Sequence, residues 1–311
     1  MLRLKFARNI GPRYYLITGL NGRQVPWSDV AGHVNEAEYL AFIARMNPPE
    51  GRRPLDDKAE QKRRLLTADI PTPVPVFTMS AGSREQGQPF ADAVLASGAD
   101  RLAVKPLSGF GGRGFQSFRI AIQNGFAVLI DDADHAEIAA NELPHLLADG
   151  FVAEPYLVQH DWYAARNADS VNTWRIWVVD AGGGPEVILA YLRMGRAGRR
   201  IDNLTNGGLY APVDDDGVLG AGGDGTILQT VYAKHPDSGT TLAGERPPFF
   251  DEAKALARAT LAALPELKFA GVDVAVTPNG PTVIEVNPEP DRMGAARVRL
   301  PFATWIAERG L

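Results

Sequence analysis

Lys105 ends an apolar run and is followed by Ser108, Gly109, Gly111, Gly112 and Gly114 in the stretch KPLSGFGGRGF. Bare backbone amides in such a loop can close over phosphate oxygens, and a lysine beneath them adds a point charge. A second constellation lies near the C-terminus, in AGVDVAVTPNGPTVIEVN, where Asp273, Glu285 and Asn287 interrupt two apolar runs. Hard oxygen donors of this kind suit Mg2+, the usual companion of nucleotide triphosphates.

Neither signal decides alone. Gly109, Gly111 and Gly114 satisfy G-x-G-x-x-G, a pattern that ligand-free glycine turns also produce. A dinucleotide fingerprint requires a helix after the loop, whereas the alternating run FQSFRIAI follows here. Protein kinases place the lysine after the glycines and carry H-R-D and D-F-G triplets, and this chain has neither. A β-hairpin lid over a nucleotide fits the order of elements. In the C-terminal constellation, a three-residue turn of Pro278, Asn279 and Gly280 pairs Thr277 with Pro281 and sets Asp273 opposite Glu285. Asn287 then shares their face, and Val272, Val274, Val276, Ile284 and Val286 form the other. A two-residue turn would split the acids. Facing carboxylates repel unless a cation lies between them. The plainer alternative is an edge hairpin with a solvated polar face.

These groups need scaffolding, and Pro/Gly punctuation delimits it. Helices are expected over 35–46 and 56–68, each with acidic residues in its first turn. Ile70-Pro-Thr-Pro-Val-Pro75 forces extended backbone and marks a lobe boundary. A helix over 90–97 and a strand over 101–105 lead into the glycine loop. Gln123-Asn124-Gly125 joins two strands as a hairpin. A helix over 133–148 and a strand over 151–157 follow. Segments 251–264 and 300–311 are expected on the outer face of the last sheet.

Composition narrows the chemistry. The chain has 311 residues, 45% apolar and 22% charged, with net charge -5 and no cysteine. That excludes thiolate catalysis and Cys-type zinc sites, and no Lys/Arg block offers a footprint for nucleic acid. The start MLRLKFARNIG has no signal-peptide core, and no window reaches the roughly 20 apolar residues of a spanning helix. A cytoplasmic protein acting on small molecules is expected, and self-association into a homo-oligomer is left open.

The lysine and glycine-rich hairpin, the strand FVAEPYL and the terminal hairpin ending Glu285-x-Asn287 together resemble the ATP-grasp superfamily, over about residues 56–295. More narrowly, Gln159-His160, SVNTWR ending at Arg175, Leu192-Arg193-Met194-Gly195, Asp202-Asn203, Gly207-Gly208 and HPDSG from His235 resemble its sugar-transfer-associated subgroup, related to α-L-glutamate ligases.

The resemblance implies an α+β ATP-grasp fold in which two α+β lobes clasp ATP, with a reduced N-terminal segment. The implied division is 1–75, a glycine-lid lobe over 76–157, and a Mg2+-bearing lobe over 158–311. Lys105 matches the lid lysine. Lys58 matches the second phosphate lysine, though it could equally be a solvated helix charge. Glu154, Pro155, Tyr156 and Leu157 match the hinge that reads adenine, with Pro155 standing where a basic residue is usual. Asp161 is placed to take the ribose. Asp273, Glu285 and Asn287 match the metal ligands. Arg175 and Arg193 match groups near the transferring phosphate and an anionic substrate, with structural ion pairing as their alternative role. Asn172, Arg196, Asp202 and Asn203 are candidate substrate contacts, and the basic, glycine-rich stretch 193–203 is the candidate substrate loop.

The implied activity is an ATP-dependent carboxylate-amine, or carboxylate-thiol, ligase working through an acyl phosphate. Surface polysaccharide or peptide-like metabolite assembly is its implied setting. A small-molecule kinase and a non-catalytic ATP-binding module are the alternatives. Trp162, Trp174 and Trp177 near Arg175 offer either core packing or an aromatic substrate wall.

Overall fold

The computed structural model describes residues 9–20, 27–109, 111–226 and 230–311, so residues 1–8 and Phe110 of the glycine run lie outside the description. The chain forms two compact units: Arg53–Val158, and Met1–Arg52 together with Gln159–Leu311.

The Arg53–Val158 unit holds a six-stranded antiparallel sheet. Its strands are β1 (Phe77–Met79), β2 (Arg101–Pro106), β3 (Gln116–Gln123), β4 (Phe126–Asp131), β5 (Glu137–Ala139) and β6 (Phe151–Pro155), in the order β1-β6-β2-β3-β4-β5. Asn124 and Gly125, with φ of 51° and 86°, make the two-residue turn between β3 and β4. Positive φ at both positions matches the right-handed strand twist. Alternation along the strands buries Leu102, Val104, Phe118, Phe151 and Ala153 against Phe90 and Val94 of the helix Gly87–Ser97. The opposite face carries Lys105, Ser117 and Glu154, because Ala103 pairs with both Ser117 and Glu154.

The helix expected over 133–148 does not form. Its first part becomes β5, pairing Ala139 with Val128 and Glu137 with Ile130, and only short helical turns, Ala140–Glu142 and Leu143–Leu146, follow. Edge pairing overrides local helix preference here. Pro144 sits in the first turn of its own short helix, where a missing N–H costs nothing.

The other unit holds a seven-stranded antiparallel sheet. Its strands are β7 (Thr173–Asp180), β8 (Pro185–Met194), β9 (Leu209–Pro212), β10 (Gly222–Gly223), β11 (Val231–Tyr232), β12 (Phe269–Thr277) and β13 (Gly280–Asn287), in the order β11-β10-β9-β8-β7-β12-β13. The helix Phe250–Ala262 covers one face, where the Phe250 and Trp174 rings lie 4.4 Å apart. Trp177, of opposite parity on β7, faces the other side and packs on Phe302 at 5.7 Å. The terminal segment and the helix Phe250–Ala262 therefore cover opposite faces, not the single outer face expected. Trp174 and Trp177 are both fully buried, so they are core.

The helix Glu36–Met46 joins Phe302 on the Trp177 side. A capping box between Asn35 and Glu38 starts this helix. Tyr39, Phe42, Ile43 and Met46, at helical spacing, supply its buried stripe. Asn47, which ends the helix, is fully buried. Its amide donates to the Phe269 and Pro288 carbonyls, each at 2.6 Å, and accepts from the Lys268 and Phe269 N–H groups at 2.9 and 3.1 Å. It thus ties the entry of β12 to the exit of β13.

Candidate active site

Asp273 and Glu285 pair across β12 and β13, by a route the sequence did not suggest. Thr277 pairs with Gly280, not Pro281, so the turn holds only Pro278 and Asn279. Continued regularly, that register would set Ile284 opposite Asp273. The ladder instead shifts by one residue between the pairs Val274–Val283 and Asp273–Glu285, leaving Ile284 as a β-bulge. Val283 is fully buried in the place expected for Ile284, which is only half-buried.

Directly paired residues of antiparallel strands share a face. The pairs Thr173–Arg193, Arg175–Tyr191, Arg175–Asp273, Asp273–Glu285 and Gly271–Asn287 therefore gather these side chains on one face of the sheet. Arg175 donates from Nε to Asp273 Oδ1 at 2.6 Å and from Nη2 to Oδ2 at 3.1 Å. Arg193 Nη2 lies 3.1 Å from the same Oδ2. Asn287 donates from Nδ2 to the Gly271 carbonyl at 3.2 Å. A Cβ on Gly271 would lie 2.7 Å from Pro290 and 3.3 Å from the Arg175 side chain, so only glycine leaves room for Arg175 to lie flat there.

Asp202 and Thr173 complete the cluster. Arg193 donates from Nε and Nη2 to Thr173 Oγ1 at 3.0 and 2.7 Å, and the Thr173 hydroxyl donates to Asp202. Burial pushes the Asp202 carboxyl up, and Arg193 and the Thr173 bond only partly offset it. Burial also opposes the charge on Arg193, yet Asp202 and Asp273 outweigh it and raise its pKa. Arg193 is therefore a permanent cation.

The remaining substrate candidates sit in defined networks. Asn172 is buried, donating to Gln159, Tyr163 and Asn167 and accepting the Gly195 N–H at 3.1 Å. Arg196 forks onto Asp237 at 2.6 and 2.8 Å. Asn203 caps the short turn Leu204–Asn206. His235 Nε2 meets the Gly195 carbonyl at 3.0 Å, so the HPDSG turn clamps the candidate substrate loop.

Within the Arg53–Val158 unit, Glu154 is 1% exposed and holds two lysines: Lys105 at 2.7 Å and Lys62 at 3.0 Å. Burial opposes ionisation of Glu154, but the two ammonium groups win and its pKa falls. Lys62 also donates to Thr72 at 2.6 Å. Lys58, one helical turn earlier, instead donates to the Gly109 carbonyl at 2.9 Å, at the base of the glycine loop. Ser108 and the described loop glycines are exposed, and Gly109, Gly111, Gly112 and Gly114 all have positive φ. At Gly114 a Cβ would meet the Pro106 ring at 2.7 Å. Tyr156 lies under the Arg101 guanidinium at 3.7 Å. Pro155 pairs with Leu102, and Leu157 is half-buried. Asp161 is exposed and belongs to the other unit. Ser117 Oγ is fully buried on the Lys105 face with no hydrogen-bond partner among the described residues.

Asp273, Glu285 and the amide oxygen of Asn287 form a hard-oxygen set that fits Mg2+. Among the described residues, no group of three or more His, Asp or Glu side chains offers a metal another site. Lys62 and Thr173 had no distinguishing sequence signal. Lys62 shares its helix face with Lys58, and Thr173 is a small polar residue at the head of an apolar strand.

The chain matches the family model for sugar-transfer associated ATP-grasp over residues 38–297. No curated protein matches the sequence. Among solved structures, D-cycloserine synthetase DcsG is 17% identical, with 96% of this chain and 93% of that one covered and a TM-score of 0.49. D-alanyl-alanine synthetase A from Vibrio cholerae O1 biovar eltor is 11% identical, with 85% and 66% covered and a TM-score of 0.50. The ATP-grasp ligase PsnB, complexed with minimal precursor, Mg and ADP, is 14% identical, with 85% and 61% covered and a TM-score of 0.44. The chain thus spans about two thirds or less of the length of the latter two. With the family match extending over most of its length and an α+β architecture to go with it, this chain belongs to the sugar-transfer associated ATP-grasp family and has the ATP-grasp fold.

Proposed function

We propose that the protein is an ATP-dependent ligase that activates a carboxylate as an acyl phosphate and passes the acyl group to an amine or thiol. The observation that carries this reading is the pairing of Asp273 with Glu285 on the face that also presents Arg175 and Arg193. Family membership supports the use of ATP, and the ligases among structures of similar fold are consistent with the reaction type.

The proposed division of labour follows the two units. Lys105, Lys62, the glycine loop and the segment Glu154–Leu157 of the Arg53–Val158 unit bind the nucleotide, with Lys58 securing the loop through Gly109. Asp273, Glu285 and Asn287 would hold Mg2+, which would offset charge on the triphosphate. A carboxylate oxygen of the substrate attacks the γ-phosphorus, the bond to the β–γ bridging oxygen breaks, and ADP leaves. The amine or thiol then attacks the acyl carbon, loses its proton and expels phosphate. Arginine and lysine charges stabilise the transferring phosphoryl, and a closed glycine loop excludes the water that would waste the intermediate. No covalent protein nucleophile is needed, in keeping with a chain that has no cysteine.

The setting proposed is surface polysaccharide or peptide-like metabolite assembly in the cytoplasm. Among the described residues, no helix is long and apolar enough to cross a membrane. The test is incubation with Mg-ATP, a panel of carboxylic acids and hydroxylamine, which traps acyl phosphates as hydroxamates. Hydroxamate together with ADP and free phosphate supports the ligase. A stable phosphoester would establish a kinase, and nucleotide binding without turnover on any acid would leave a binding module.

A further inference from the structure

Both carboxylate oxygens of Asp273 are already engaged. Arg175 takes Oδ1 and Oδ2, and Arg193 lies against Oδ2. A cation that chelates Asp273 through both oxygens must therefore displace guanidinium hydrogen bonds, because the Arg175 fork covers that edge and one lone-pair direction cannot serve a metal and an N–H together. The two arginines are not equally exposed to that competition. Arg175 hydrogen-bonds to Asp273 alone among the described residues. Arg193 has a second anchorage, two bonds to Thr173 Oγ1 and an approach of 3.5 Å to Asp202. The Thr173 proton is committed to Asp202, so its lone pairs face Arg193 and the direction of this relay is fixed. Thr173 and Asp202 are 3% and 8% exposed, which shields the anchorage from water.

We propose that Thr173 and Asp202 are positioning residues that keep Arg193 in place when a divalent cation takes Asp273, whereas Arg175 is the guanidinium that the cation releases toward the reacting phosphoryl group. This rests on the reading of Asp273 as a cation ligand. Cation binding and arginine delivery are then one event: the metal frees the catalytic charge that the substrate needs.

The test measures Mn2+ binding by electron paramagnetic resonance in full-length protein saturated with the non-hydrolysable analogue AMP-PNP. Arg175→Lys keeps the charge but removes the two-pronged grip on Asp273, so Mn2+ should bind about tenfold more tightly. Thr173→Val removes the anchor of Arg193 and throws it onto Asp273, so Mn2+ should bind several-fold more weakly, and Thr173→Ser should restore the wild-type value. Opposite shifts with rescue by serine support the proposal, because loss of local packing alone would not tighten one variant and loosen the other. Thermal unfolding of each variant guards against misfolding, and should Thr173→Val fail to fold, the tighter Mn2+ binding of Arg175→Lys, with Asp273→Asn as the control, carries the test. If Asp273→Asn abolishes Mn2+ binding but Arg175→Lys and Thr173→Val leave it unchanged, or move it the same way, the proposal falls and the metal site stands. If Asp273→Asn binds Mn2+ as the wild type does, the metal-site reading falls and takes the proposal with it.

Discussion

Asp273 faces Glu285 because Ile284 occupies a bulge that no residue of β12 matches. The bulge compensates for a turn one residue shorter than the acids would need in a regular hairpin. Deleting Ile284 removes the unmatched residue and leaves the Val274–Val283 and Asp273–Glu285 pairs intact. The deletion variant is expected to keep its Mn2+ affinity within about threefold, whereas Glu285→Gln should lower it about tenfold or more. Parallel Mn2+ titrations of the two variants check this, and loss of binding on deletion would show that the bulge also aims the carboxylate.

Lys62 and Lys58 should behave differently despite lying one helical turn apart. Lys62→Met leaves the buried Glu154 with one counterion and is expected to cost about 3 kcal/mol of stability in urea unfolding. Lys58→Ala, which removes one bond to the glycine loop, should stay within ~0.5 kcal/mol while weakening AMP-PNP binding. The depressed pKa of Glu154 means its contribution is full above the ordinary carboxylate range. That contribution is lost only as pH falls below the range.

His235 sets a second pH dependence. It is fully buried, and its Nδ1 accepts from the Asp237 and Ser238 N–H groups at 3.3 and 3.4 Å, so the neutral tautomer protonated at Nε2 is required. Burial lowers its pKa against the smaller opposing pull of the Gly195 carbonyl and Asp237. The unfolded chain therefore takes up the proton first, and stability falls as pH drops below about 6.5. Urea unfolding should lose up to ~1.4 kcal/mol per pH unit below that point, until the folded histidine also titrates. His33 shifts in the same direction, so the quantity to compare is wild type minus His235→Asn.

Asn47→Asp should destabilise the discontinuous unit more than its small change in volume suggests. The carboxylate cannot donate to the Phe269 and Pro288 carbonyls, leaving two buried acceptors unpaired at about 1–3 kcal/mol each. Urea unfolding measures the total, and a loss under ~1 kcal/mol would show that the tie is not needed.

Much of the scaffold was legible because its signals are local. The helix over 35–46, with acidic residues in its first turn, and the hairpin at Gln123-Asn124-Gly125 each follow from neighbouring residues. The helix expected over 133–148 failed because the partner that turns its first part into β5 is an adjacent strand. The acid pair was anticipated, but through the wrong turn, since a bulge leaves no mark on residue types. Thr173 and Lys62 were hidden for a similar reason. What distinguishes them is the residue each reaches across the fold, namely Asp202 and Glu154.

Asn47 also bears on how the protein comes into being. Its partners lie 221 to 241 positions later in the chain. The helix Glu36–Met46 therefore leaves the ribosome long before the strands it serves have been made, with its apolar stripe still uncovered. The segment 53–158, by contrast, has its whole sheet available early and can mature while translation continues. Assembly of the β12–β13 hairpin with this helix thereby waits until Pro288 has been made, and a message truncated before that residue yields a product in which Asn47 lacks its partners.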